Sequence, residues 1–322
     1  MLSQAQGEPM VSMVIPAFDA ESSLPATIAS VQAQTWSDWQ LLVVDDGSSD
    51  GTADCVRRLQ AGDGRLGLIC APNRGVSAAR NLGVARSRGP IVAFLDADDL
   101  WHPTKLERHL EQFRAEPRLG VSFARVEVLS PEGVPTGQVS SSKLRDLRAE
   151  DFLSENPTTT TSNWVVRRLV LEEVGGFLES MSYSEDLEWL LRVRCCTAWE
   201  IAGVPEVLTG YRTSVGGLSA QLARMESGWE QMVEQARRYA PDLVEKHLNQ
   251  ARALQLRYLA RRSLRLRSAA AQGSDYMARA LRSDPALLWK QPRRTWLTWG
   301  AVLLRAWISR ALAALGVRRG QP

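Results

Sequence analysis

Two stretches constrain the fold of this chain more than any other: LLVVDD at residues 41–46 and IVAFLDADD at residues 91–99, where an apolar run stops abruptly in carboxylates. Both belong to an alternation that fills residues 10 to 128. The short apolar runs MVSMVIP, LLVVDD, LGLICA and PIVAFLD are separated by amphipathic segments at 21–34, 52–61 and 76–86. Runs that are apolar on both faces and separated by helices read as strands of a parallel sheet covered on both sides. The expected fold class is therefore α/β, a mostly parallel sheet flanked by helices. In such sheets ligands sit outside the carboxyl ends of the strands, and both acidic clusters fall there.

Beyond GVSFARVEVL (120–129) the chain turns loop-rich through SPEGVPTGQVSSSK, and a helix is expected again over 184–196. After Ser219 the pattern is helical, broken at Pro241, Pro285 and Pro292. This divides the chain into a sheet domain, 1–219, and a helical, basic, Trp-rich extension, 220–322. The overall charge of +3 hides a split: residues 252–322 carry 14 Arg and Lys290 against Asp275 and Asp284, leaving the first 251 residues acidic. A basic tail on an acidic body suggests an anionic surface as partner. Cys55, Cys70, Cys195 and Cys196 show no CxxC spacing, so neither a disulfide framework nor a zinc site is expected. With no apolar leader in MLSQAQGEPM, the expected location is the cytoplasm.

Familiar motifs fail on context. GDGRLG (62–67) spells GxGxxG but follows a helix and precedes a strand, the reverse of a dinucleotide fingerprint. No Lys follows a Gly, which removes a phosphate loop, and DADDLW puts Leu and Trp where an EF-hand needs a ligand and a glycine. What remains is a strand-end D-x-D. Asp96, Asp98 and Asp99 repel one another and need a cation or a ring of donors nearby. Oxygen-only ligands suit a hard divalent ion, Mg2+ or Mn2+, whose open positions accept substrate phosphates. The competing reading makes Asp99 a cap for the helix that starts near Pro103. In VVDDGSSDGT, Asp46 is left at the strand end, free to accept the ring N–H of a uracil or thymine, or serves only its turn. In NRGVSAARNLGVARSRG, a helix opening after Gly75 brings Arg80 and Asn81 toward the same crevice.

These blocks, with GGFLESMSYSEDLEWLLRV and YRTSVGGLS, occur in an order that resembles the inverting family-2 glycosyltransferases of GT-A fold, over roughly residues 10–220. The resemblance implies a GT-A nucleotide-diphospho-sugar transferase fold. It also implies that Pro16, Ala17, Phe18, Glu21 and Asp46 line the nucleotide pocket and that Arg80 lies near the nucleotide. Asp96 and Asp98 would bind the ribose and a metal-bridged diphosphate, with Asp98 the metal ligand, and Asp186 would be the catalytic base. Two departures concern the acceptor side and the metal. The histidine common after the arginine of YRTSVGGLS is missing, and Leu178 and Leu187 stand where an acid and an aromatic are common. The activity expected is transfer from a UDP- or TDP-sugar to a saccharide or lipid-linked acceptor in cell-surface polysaccharide synthesis. A nucleotidyltransferase and a non-catalytic scaffold are the alternatives.

WLTWGAVLLRAWISRALAALGV (296–317) has the length of a membrane span, but Arg305 and Arg310 interrupt it and point to different faces. Trp289, Trp296, Trp299 and Trp307 suit a headgroup boundary. An interfacial helix over 285–320, on the anionic inner leaflet of the plasma membrane, is expected; packing on protein or on a second copy is the alternative. No nucleic-acid partner is expected, and an oligomeric state is left open.

Overall fold

The computed structural model describes residues 11–213, 221–266 and 270–314. It divides into two compact units, Met1–Ala149 with Asn156–Val215, and Glu150–Glu155 with Gly216–Pro322. The first unit runs β1 Val11–Ala17, α1 Leu24–Gln32, β2 Trp39–Asp45, α2 Thr52–Gln60, β3 Leu66–Cys70, α3 Val76–Arg86, β4 Ile91–Phe94, β5 Leu100–Trp101, α4 Lys105–Ala115, β6 Leu119–Leu129 and β7 Pro135–Val139. Past α5, Ala149–Ser154, which from Glu150 onward belongs to the second unit, the first unit resumes with a short 3-10 turn at Thr161–Asn163, β8 Val165–Arg167, α6 Arg168–Val174, α7 Glu185–Cys196 and β9 Glu200–Arg212. The second unit holds α8 Leu222–Tyr239, α9 Pro241–Ser263, α10 Ala270–Ser283, α11 Leu287–Lys290 and α12 Pro292–Ala314.

The sheet order is β3-β2-β1-β4-β8-β6-β9-β5, with β7 paired to β6 off that path. The pairs β3/β2, β2/β1 and β1/β4 are parallel, whereas β8 runs antiparallel to both β4 and β6. All seven residues of β1 and all four of β4 are buried, as two-sided coverage requires. The order reverses between β1 and β4, the switch point at which such sheets open a crevice. β4 pairs with β1 only as far as Val14, and Pro16 lies beyond it, where a residue without an N–H is tolerated.

Helix α3 closes one face of this crevice at short range. A Cβ on Gly83 would stand 2.3 Å from Val14 Cγ1, so glycine is what lets the helix sit directly on β1. Phe94, Trp164, Phe177 and Trp189 pack as one aromatic cluster beneath, with ring centroids 5.4–6.4 Å apart. The segment read as loop after residue 129 contains β7. Its five residues are all exposed, so no burial pattern marks it in the sequence.

In the second unit Leu254, Leu259, Met277, Ala280 and Val302 share one core. Trp229 Nε1 donates to Leu153 O at 2.9 Å, tying α8 to α5. Among the described residues no helix is long and apolar enough to cross a membrane.

Candidate active site

Two loops leave the sheet beside the switch point and hold each other. The Asp19 carboxylate accepts Ser49 N at 2.7 Å, Glu21 accepts Gly51 N at 3.0 Å, and Ala20 N donates to Thr52 Oγ1 at 2.8 Å. Pro16 and Ala17 are buried, while Phe18 is 52% exposed at the rim. Asp46 is not free. It is buried, and its two oxygens accept Arg74 N at 2.9 Å and Gly75 N at 2.8 Å, which fixes the loop entering α3. Each oxygen retains one lone pair. Gly47 takes φ +79°, the left-handed turn that lets β2 hand over to this loop.

The second group centres on Arg80, from the second turn of α3. Its guanidinium is buried and reaches Asp96 Oδ1 at 2.8 Å and Glu185 Oε1 at 3.0 Å, with the Phe177 ring 5.4 Å away. Burial works against its charge, but Asp96 and Glu185 more than offset that and raise its pKa. Arg80 therefore joins the acids that end β4 to those that open α7 rather than standing open to an anion. Sequence reading placed Arg80 near the crevice but missed Glu185 as its partner, because the two are 105 positions apart.

Asp96 is held further by its backbone N–H, which donates to Ser162 Oγ at 2.9 Å, and by the Thr160 hydroxyl, which donates to Oδ2 at 3.4 Å. The 160–163 turn is braced from behind: Trp101 Nε1 donates to Ser162 O at 2.7 Å and the buried Lys105 Nζ to Asn163 O at 3.2 Å. Burial lowers the Lys105 pKa well below its ordinary value. Asp99 does not cap α4. It is fully buried and its Oδ1 accepts Arg212 N at 2.8 Å, while Arg212 Nε donates to Asp98 O at 2.8 Å. Burial, then the Asp98 and Asp96 charges, push Asp99 well above the carboxylate range, and its Oδ2 has no hydrogen-bond partner.

Asp98 is partly exposed, and its carboxylate accepts no hydrogen bond from another described residue. Burial and the Asp96 charge raise it to about 6. A carboxylate with open lone pairs in a negative cluster fits a hard divalent cation. Among the described residues no group of three His, Cys, Asp or Glu side chains is placed to hold a metal ion. The YRTSVGGLS block lies outside the described residues from Ser214 onward.

Asp186 is partly buried beside Glu185. Its Oδ2 accepts Asn156 Nδ2 at 2.5 Å and its Oδ1 accepts Leu187 N at 2.8 Å. The Asn156 amide is itself oriented, since its Oδ1 accepts Thr158 N at 2.9 Å and Thr158 Oγ1 at 2.7 Å. Burial and the Glu185 charge raise Asp186 to about 7, against the pull of Leu187 N–H and Arg80. Three of the four described non-glycine residues with positive φ adjoin these groups: Asp19 at 47°, Thr159 at 73° and Ser184 at 59°. Strain of that kind gathers at functional sites. Asn156, Thr160 and Ser162 carried no signal in the sequence beyond a polar loop.

A switch-point crevice with a D-x-D at one strand end, tied through an arginine to acids at a helix start, sits on the GT-A fold of sugar-nucleotide transferases. Residues 12–175, about half of the chain, match the sequence model described as Glycosyl transferase family 2, and the chain belongs to that family. Among its relatives, TuaG of Bacillus subtilis, named as a glycosyltransferase of teichuronic acid biosynthesis, is 36% identical over 129 residues, 40% of this chain and 51% of that protein. The UDP-Glc:alpha-D-GlcNAc-diphosphoundecaprenol beta-1,3-glucosyltransferase WfgD of Escherichia coli is 32% identical over 136 residues, 42% of this chain and 53% of that protein. The chain thus spans about half the length of the curated relatives it matches.

Two solved structures share the fold. The mannosyltransferase PcManGT of Pyrobaculum calidifontis, in complex with GDP-Man and Mn2+, superposes with a TM-score of 0.61 at 24% identity, covering 94% of this chain and 87% of that one. S. aureus TarS 1-349 in complex with UDP-GlcNAc gives 0.55 at 16% identity, covering 92% and 81%. The family match favours a glycosyltransferase over a nucleotidyltransferase or a non-catalytic scaffold.

Proposed function

We propose that this protein is a metal-dependent, inverting glycosyltransferase that moves a sugar from a UDP- or TDP-sugar to a saccharide or lipid-linked acceptor during cell-surface polysaccharide synthesis. Residues 1–219 form the catalytic domain and 220–322 an extension that contacts the inner face of the plasma membrane from the cytoplasm. The observation that carries the chemistry is the Asp96–Arg80–Glu185 bridge, which ties the D-x-D strand end to the acid beside Asp186 within one crevice. Relatives named for teichuronic acid and for a diphosphoundecaprenol-linked acceptor support the substrate class.

Asp186 takes the proton of the acceptor hydroxyl as that oxygen attacks the anomeric carbon. The bond from that carbon to the diphosphate oxygen breaks on the opposite side, the nucleoside diphosphate leaves, and the configuration inverts. Asn156 and Leu187 N–H aim the carboxylate. A base raised to about 7 is matched to proton transfer near neutral pH. Asp98 would hold the divalent ion, Mn2+ or Mg2+, which when bound neutralises the departing diphosphate. Asp96 takes the ribose side, and Pro16 to Phe18, Glu21 and Asp46 frame the base, with the remaining Asp46 lone pairs turned to a ring N–H.

A panel of UDP-, TDP- and GDP-sugars, scored for metal-dependent release of the nucleoside diphosphate, tests this. One uracil or thymine donor should turn over with Mn2+, and UDP or TDP with Mn2+ should raise the melting temperature of the wild type but not of Asp98→Asn. A protein that ignores every nucleoside diphosphate in the presence of metal would overturn the assignment.

A further inference from the structure

Helix α12 presents two unlike faces. Thr295, Thr298 and Val302 are buried in the core of the second unit. Turned away from it are Trp296 (54% exposed), Leu297 (66%), Leu303 (51%), Leu304 (59%), Trp307 (67%) and Ile308 (40%). At 3.6 residues per turn these six fall within about 140° of the helix circumference. With Trp289 they make seven of the twelve large apolar side chains exposed among the described residues, packed into twenty positions. An apolar stripe so concentrated marks an interaction surface rather than scattered exposure.

Arg305, which in the sequence interrupts this stripe, is not part of it. Its guanidinium turns inward and donates to the carbonyls of Ser263, Leu264 and Leu266, the last at 2.7 Å, so that its charge caps the C-terminus of α9. The Arg310 side chain and residues 315–320 lie outside the described residues.

Charge selects the occupant. Residues 286–322 hold seven basic residues and no acidic one. Arg305 turns inward, while at the start of the stripe Lys290, Arg293 and Arg294 are exposed, Lys290 3.5 Å from Asp284 and Arg294 3.7 Å from Glu155. A second copy docking face to face would set this positive region against itself, whereas an anionic bilayer complements it. Tryptophans at both ends of the stripe suit the headgroup boundary.

We infer that the outward face of α12, from Trp296 to Ile308, together with Trp289 of α11, is a docking surface for an anionic lipid bilayer, on which the helix lies in the plane of the headgroups. This deepens the membrane part of the proposed function and rests on none of its chemistry. Deleting the helix would strip Val302 and Thr295 from the core, so exposed-face variants are the proper probe.

The full chain and Leu304→Glu/Trp307→Glu are sedimented with phosphatidylcholine vesicles and with vesicles that also contain phosphatidylglycerol, at low and high salt. Circular dichroism melts confirm that both proteins are folded. The wild type should bind the anionic vesicles preferentially and lose affinity with salt, and the double variant should bind at least about tenfold more weakly. Equal binding by both proteins overturns the inference, as does a wild type that ignores anionic vesicles. So does a wild-type dimer, seen by light scattering, that the variant converts to monomer without any vesicle binding. Release of nucleoside diphosphate from a soluble donor should be unchanged in the double variant, while Asp98→Asn should bind vesicles like the wild type. The docking surface and the transferase assignment therefore fail separately.

Discussion

Replacing Arg80 with Met keeps most of the stem and removes the charge that two carboxylates share. The guanidinium is nearly sealed, its side chain 4% exposed, with Glu185 at 11% and Asp96 at 29%. Removing one member of a buried ion pair costs about 3–5 kcal/mol, because the other is left charged without water or partner. Asp96 is partly hydrated and still held by Thr160, so most of the loss comes from Glu185, and a figure of about 3–4 kcal/mol is expected near pH 8. Arg80 Nε has no partner, so nothing beyond the two Nη contacts and the Phe177 packing is lost. For a unit of this size that is a fall of about 6–16 °C in melting temperature.

Urea unfolding followed by tryptophan fluorescence near pH 8 measures the loss. A loss below about 1 kcal/mol would mean that Arg80 does not neutralise these acids.

Four further outcomes follow from the structure. With Asp186 raised to about 7, kcat/KM should fall about tenfold per pH unit below that value and level off above it; a flat profile would remove Asp186 as the base. Asn156→Ala, which takes a donor from the charged form, should move that limb to higher pH, and an unmoved limb would leave Asn156 no role in orienting the base. The same shift has a stability sign. Asp186 binds its proton more tightly folded than unfolded, where the value is near 3.8, so it costs stability as pH rises from there to about 7. Asp186→Asn should therefore melt higher than the wild type near pH 8 and no higher near pH 4, even as turnover is lost. Gly83→Ala should cost about 1–3 kcal/mol, since its Cβ would meet Val14 at 2.3 Å; a neutral result would show that α3 rides up from β1 without penalty.

Much of the first half of the sheet could be read from the chain itself. β1, β2, β3 and β4 are apolar runs separated by helices, and that pattern is local, so strands, direction and the carboxylates at their ends follow from spacing alone. The second half was not legible. β8 is three residues long and enters antiparallel between β4 and β6, and β6 pairs with β9 although about 80 residues separate Leu119 from Glu200. β7 has no buried face and contains Pro and Gly, so it carries the composition of a loop.

The site divides in the same way. The D-x-D is visible as a short motif because it is set by its own strand end, whereas Asp186 was picked out only through the family resemblance of the block around it. Asp46 was legible as a strand-end acid, but its engagement with Arg74 and Gly75 was not, since that depends on how the next loop folds back. In the tail, the sequence shows an apolar helix broken by Arg305, whereas packing turns that arginine onto the end of α9 and leaves the outer face apolar. The sequence by itself determined which segments become strands and which acids stand at their ends, because side-chain period and chain punctuation act over a few residues. Only the tertiary structure decided that Arg80 neutralises Asp96 and Glu185 together, because charges 105 positions apart meet only after the sheet order has brought β4 and α7 to the same crevice.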